Sequence, residues 1–212
     1  MRTFLHTLTI FAAVLVLLGA LPNSAMAQCG SVPGNLVTNC GFEAGQVGTS
    51  PGGGSTTGWT IVNPQSGYES LVGSPVHTGY NSFRLGNFNY QEAGGIEQTI
   101  SDSSKSYTLA FYVNNDAGPD GPGTVNFQAY FNGVSLLDLS QIPAQPFTEY
   151  SYTVTGTGSD TIEFLAINNV GDFFLDDVSL SPKGGVTPEP ATFVLFGTGL
   201  LGIAFIMRKR LA

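Results

Sequence analysis

Between residues 106 and 168 apolar side chains recur at every second position. Tyr107, Leu109, Phe111 and Val113 fall on one face of a strand, and Val125, Phe127, Ala129 and Phe131 do the same, each set interleaved with small or polar residues. Tyr150, Tyr152 and Val154, then Ile162, Phe164 and Ala166, continue the alternation. A period of two marks strands that bury one face. Between Phe131 and Val134 lies Asn132-Gly133, the dipeptide that best accepts the positive φ angles of a type I′ turn, so the chain is expected to fold back there. Candidate strands cover 35–43, 58–63, 82–86, 95–100, 106–114, 124–132, 134–139, 147–155, 160–168 and 173–181. About ten antiparallel strands joined by turns, with no helical segment between them, predict an all-β sandwich or jelly roll. The Gly/Ser/Pro-rich stretch 48–58 reads as a long loop and Gly184-Gly185 as a hinge.

The two ends break this pattern. Arg2 precedes an apolar run from Leu8 through Leu21 that finishes in Ala25-Met26-Ala27, the small-x-small pattern of a signal peptidase site. The segment 1–27 is read as a signal peptide and Gln28 as the first residue of the mature chain. A lipoprotein reading through Cys29 is disfavoured because Gln28 stands where that pathway takes a small residue; a retained membrane anchor is the alternative. At the other end Pro188-Glu189-Pro190 is followed by an uncharged run over 191–207 and then Arg208-Lys209-Arg210. That run reaches the lower limit for a transmembrane helix, with the basic triplet left on the cytoplasmic side.

Composition narrows the function classes. The chain has 212 residues, 42% hydrophobic and only 10% charged, with 28 Gly, 12 Pro and 15 Phe and a formal net charge of −8. This balance excludes a disordered polyelectrolyte and suits a turn-rich β protein. Within 28–183 only Arg84, Lys105 and Lys183 oppose the carboxylates, so the mature domain is more acidic than the precursor. Nucleic acid is excluded as a partner, because phosphate binding needs clustered cations. His77 is the one histidine of the mature segment, no Gly-x-Ser-x-Gly elbow occurs, and no glycine-rich loop precedes a helix; a catalytic role is not expected. Glu92 and Glu97 could serve a glycosidase only if they flanked a cleft, and alternation makes Glu97 a plain outward residue. Cys29 and Cys40 both lie in the exported part, where a disulfide is the default.

Two resemblances refine the reading. The tail Pro188-Glu189-Pro190, its short hydrophobic run and Arg208-Lys209-Arg210 resemble the PEP-CTERM sorting signal, which exosortase recognises and cleaves in Gram-negative bacteria that export polysaccharide. Thr187 departs from the commonest form, which has Val directly before the first Pro. The resemblance implies export through the inner membrane, transient anchoring by the C-terminal helix, and a final place at the cell surface or outside it. Asn35-Leu36-Val37-Thr38-Asn39-Cys40-Gly41-Phe42-Glu43, with Gly58-Trp59 after it and Phe173-Phe174-Leu175-Asp176-Asp177-Val178 at the end, resembles galactose-binding-like jelly rolls, which include many carbohydrate-binding modules. Cys40 replaces a Gly of that opening motif.

The resemblance implies adjacent first and last strands and one structural calcium. Parity supports an inward Asp176 beside Phe174, Val178 and Leu180, and Glu43 closes the first segment, so Glu43 and Asp176 are the candidate calcium ligands. Asp177, on the opposite parity, is the weaker candidate; the alternative is that Asp176 or Asp177 accepts amide hydrogen bonds. The loop from Asn114 to Gly121 lacks the Glu an EF-hand needs, Phe127 standing in its place, and reads as a solvated hairpin loop.

Sugar recognition wants exposed aromatics beside amide and carboxylate groups. Tyr68, Tyr80 and Tyr90 are the candidate ligand contacts, with Trp59 expected in the core. Asn126, Gln128, Tyr130 and Asn132 form a second polar and aromatic strip. The expected role is a non-catalytic surface or matrix protein that binds carbohydrate or exopolysaccharide. The alternative is a structural or adhesive biofilm protein that self-associates without a sugar.

Overall fold

The computed structural model describes residues 28–48, 55–63, 69–86, 92–103, 105–117 and 125–183. The signal segment, the sorting tail with its predicted span, and Tyr68 and Tyr90 lie outside them. Among the described residues no helix is long and apolar enough to cross a membrane.

Among the described residues a single 3₁₀ turn, Gln28–Ser31, precedes twelve strands: β1 Gly45–Gln46, β2 Ser55–Thr56, β3 Thr60–Val62, β4 Ser70–Val72, β5 Ser82–Leu85, β6 Gly94–Ser101, β7 Ser106–Asn115, β8 Val125–Phe131, β9 Val134–Ser140, β10 Gln145–Thr155, β11 Ser159–Asn168 and β12 Phe173–Pro182. They form a front sheet of order β10-β7-β12-β5-β4, a back sheet of order β3-β6-β11-β8-β9, and the small pair β1-β2. Pairing is antiparallel throughout. The two large sheets pack face to face as the predicted sandwich, and the alternating residues of β7, β8 and β11 meet in its core. Phe111 stands edge-on to Phe164 with ring centroids 4.9 Å apart. Trp59 lies in the same core against Phe42. The β8-β9 turn has φ of 51° at Asn132 and 72° at Gly133, the pair of left-handed residues a type I′ turn requires. Asn132 therefore leaves the polar strip: its side chain bonds Asp160 and the Thr161 amide, staying with the hairpin.

The opening motif behaves differently from its expectation. Residues 35–43 form turns, not a strand, because side chains there satisfy the backbone locally. Asn35 Oδ1 accepts from Val37 N, and Asn39, at φ 50°, exchanges hydrogen bonds with Ala44 through both ends of its amide. The segment still lies beside β12: Leu36 N donates to Leu180 O, and Val178 N to Cys40 O. Strand β12 thus pairs with β5 over Phe173, Phe174 and Leu175 and then with the opening segment. A bulge at Asp176–Asp177, with Asp177 at φ 49°, marks the change of partner.

That bulge corrects the parity argument for Asp176. Phe173 and Leu175 face the core before it, and Val178 and Leu180 after it. Asp176 pairs across with Tyr112 on the outer face of the front sheet and is buried there by chain laid over that face.

Candidate functional site

The outer face of the front sheet is built by register. Ser70 pairs with Arg84, Arg84 with Phe174 and Phe174 with Asn114, giving one row across β4, β5, β12 and β7. Two residues further along β12 and β7, Asp176, Tyr112 and Glu149 form a second row. Strand rise separates the rows by roughly 7 Å, about the width of a hexose ring.

In the first row Arg84 Nη2 donates to Ser70 Oγ at 3.0 Å, and Nη1 lies 4.0 Å from Asp172 Oδ2. Burial, with the charge of Asp116 added, raises the Asp172 carboxyl to about 6 against the opposing pull of Arg84. Asp172 is held in place by its amide, which donates to Asp116 Oδ1, and by its carbonyl, which accepts from Asp116 N. Gly86 permits this position, since a Cβ there would meet Asp172 Oδ1. The Asn114 and Asp172 Oδ1 atoms are buried with no hydrogen-bond donor among the described residues. Both arms of the Arg84 guanidinium and these acceptors lie at the end of the sandwich where β5 and β7 finish and β12 starts.

The second row is aromatic. The His77 ring stacks on Tyr112 at 3.7 Å and 15°, and Phe147 lies 5.6 Å from His77. Burial raises the Tyr112 phenol, and the charge of Glu149 raises it further. His77 belongs to the loop between β4 and β5, which folds back over the sheet and is held by three carboxylates. Asp176 Oδ2 accepts the His77 and Thr78 amides, at 2.8 and 3.3 Å. Asp177 Oδ2 accepts from His77 Nδ1 at 2.7 Å and from Thr78 Oγ1 at 2.6 Å. Glu43 Oε1 accepts the Tyr80 and Asn81 amides.

Those bonds decide the candidate calcium pair. Asp176 Oδ1 also accepts the Asp177 amide, so both of its oxygens, like Glu43 Oε1, face main-chain N–H dipoles. Main-chain N–H groups thus engage three of the four oxygens of the candidate pair, and two carboxylates alone supply fewer than the six to eight oxygens that calcium takes. Among the described residues no group of three or more His, Cys, Asp or Glu is placed to hold a metal ion. Burial raises the Asp176 carboxyl to about 7, the Asp177 charge adding to it and the amide donors opposing. His77 also has a structural task. Its carboxylate partner also accepts the Thr78 hydroxyl, so Thr78 donates to Asp177 and not to the His77 ring.

Of the candidate sugar contacts, Tyr80 is 67% exposed on the same loop as His77. Arg84, Asp172, Tyr112 and Phe147 were not singled out from sequence. Arg84 carried the available signal, as one of three cations in the mature segment and placed on the polar parity between Phe83 and Leu85. Cys29 and Cys40 are disulfide-bonded, joining the 3₁₀ turn to the opening segment.

At the far end of the chain, residues 186–210 match the family model described as the PEP-CTERM protein-sorting motif. The chain carries a PEP-CTERM tail. No curated protein matches the chain in sequence. Among solved structures it is similar to TmCBM61 in complex with beta-1,4-galactotriose, at 16% identity over 70% of this chain and 99% of that one, with a TM-score of 0.49. It is similar also to the C-terminal family 22 carbohydrate binding module of Clostridium thermocellum Xyn10B, at 12% identity over 71% and 99%, TM-score 0.46. A third likeness is to the enzymatically active domain of tailspike protein 4 of bacteriophage CBA120, at 18% identity over 70% of this chain and 21% of that one, TM-score 0.48.

Proposed function

We propose that this PEP-CTERM protein is exported, sorted through exosortase at its tail, and acts without catalysis by binding carbohydrate on the outer face of its front sheet. The observation that carries the reading is the pair of rows on that face: a guanidinium with carboxylate and amide acceptors in one, and the stacked His77–Tyr112 rings with Phe147 in the other. Sugars offer hydroxyl edges to the first chemistry and C–H faces to the second. Tyr80 is a further contact from the covering loop. A face with one guanidinium among several carboxylates favours neutral over anionic polysaccharide.

The test is binding of the secreted protein to a panel of neutral and acidic polysaccharides, including the exopolysaccharide of the producing cell. Arg84→Ala and Tyr112→Ala are each expected to weaken binding by about tenfold or more, roughly 1.4 kcal/mol, with melting curves checking that the variants stay folded. Absence of binding to every glycan, with self-association that grows with concentration, would replace this reading by the structural matrix protein.

A further inference from the structure

The covering loop is fastened beside the residue at which signal-peptide removal is expected to start the mature chain. Gln28 N donates to Thr78 Oγ1 at 2.7 Å, Thr78 Oγ1 donates to Asp177 Oδ2, and Cys29 N donates to Asp177 Oδ1 at 3.1 Å. Asp177 is buried, 3% exposed, and adjoins the equally buried Asp176. Among the described residues, His77 is the side chain recorded against this carboxylate pair that can carry positive charge; Lys183 donates to Thr153 and Arg84 to Ser70. Two adjacent buried carboxylates with so little cationic compensation are costly. The peptide nitrogen that reaches into this network is the one that Ala25-Met26-Ala27 marks for release.

We propose that the amine freed at Gln28 by signal-peptide removal docks as an ammonium on Thr78 and Asp177, so that export itself completes the clasp holding the loop on the front sheet. Signal peptidase adds water across the Ala27–Gln28 bond. The hydroxyl goes to the Ala27 carboxyl and the proton to the Gln28 nitrogen, which at neutral pH takes up a second proton and becomes an ammonium. A single amide N–H is thereby replaced by a charged three-proton donor, aimed at a hydroxyl whose own proton already lies on Asp177. The titratable groups of this network are Asp176 and Asp177 from β12 and His77 from the loop, with Tyr112 of β7 stacked on His77, Glu149 of β10 beside Tyr112, and Glu43 on the Tyr80 and Asn81 amides of the same loop. The proposal stands independently of any sugar ligand.

The test uses the full chain, secreted from its own signal peptide. Mass measurement of the product is expected to show a start at Gln28 with no loss of ammonia. A variant with two glycines inserted between Ala27 and Gln28 moves the amine away from Thr78, and its product is expected to melt lower by about 2–4 °C at low salt, the gap narrowing as salt screens the charge. In the Thr78→Val background, or Thr78→Ala where the valine variant is not secreted, the same insertion is expected to cost nothing further. A start at another residue, a cyclised Gln28, or an insertion that leaves the melting temperature unchanged would each overturn the proposal.

Discussion

The two large sheets share one architecture, yet their outer faces are put to different use. On the back sheet Glu97, Glu163 and Tyr130 stand side by side on β6, β11 and β8, and Asp138 on β9 accepts from Asn126 and Gln128. These are cross-strand pairs of polar side chains, half-buried except for the exposed Asp138. Burial, then the charge of Glu97, raises the Glu163 carboxyl, a local repulsion that an open face tolerates. On the front sheet the β4–β5 loop and the 3₁₀ turn lie over the strands and shut two carboxylates inside. A charge on the open face interacts through water, whereas a charge under the covering loop must be matched bond for bond. The lesson is that strand alternation gives both faces the same grammar, and the overlying chain decides which of them becomes structured.

That contrast can be broken most forcefully at Asp177. Asp177→Ala leaves the Cys29 amide, the His77 ring and the Thr78 hydroxyl without their acceptor, and is expected to cost about 3–5 kcal/mol in urea unfolding. An effect below about 1 kcal/mol would mean that this carboxylate does not hold the loop on the sheet.

A middle-sized effect is expected from pH. The Asp172 carboxyl is raised in the folded protein from its ordinary 3.8 to about 6, so the folded state holds that proton more tightly than the unfolded chain. Its stabilising contribution is complete below about pH 4 and is lost as pH rises through about 6. In Asp172→Asn the decline in urea midpoint over that window is expected to flatten, leaving the decline centred near 7 that belongs to Asp176. An unchanged profile would exclude Asp172 as its source. The smallest effect belongs to the back face: Glu163→Gln relieves repulsion with Glu97 and is expected to shift stability by less than about 0.5 kcal/mol, in the stabilising direction, at pH 7. A loss of 2 kcal/mol there would erase the distinction between the faces.

Much of the fold was legible because its signals are local. The alternation in β7, β8 and β11 specifies which side each residue buries, and Asn132-Gly133 specifies where the chain reverses. The outlying strands were harder. Ser70–Val72 is too short to show a period, and the β1–β2 pair sits across a Gly/Ser/Pro-rich stretch that gives no strand signal. The opening motif was read as a strand although its Asn35 and Asn39 side chains compete with the ladder for backbone groups. For the site, the aromatic loops drew attention by composition, while Arg84, Tyr112 and Asp172 became neighbours only through the registers of β5, β12 and β7.

The amino-acid sequence by itself determined the class of the domain and its C-terminal sorting motif, since periodicity, turn residues and targeting motifs are written in contiguous residues. Tertiary structure decided the rest. One bulge at Asp176–Asp177 reversed the parity of β12 and carried two carboxylates to the outer face. The loop laid over them turned the candidate calcium ligands into acceptors for its own amides. Such outcomes depend on which distant donors reach a buried charge first, and nothing in the neighbouring sequence records that.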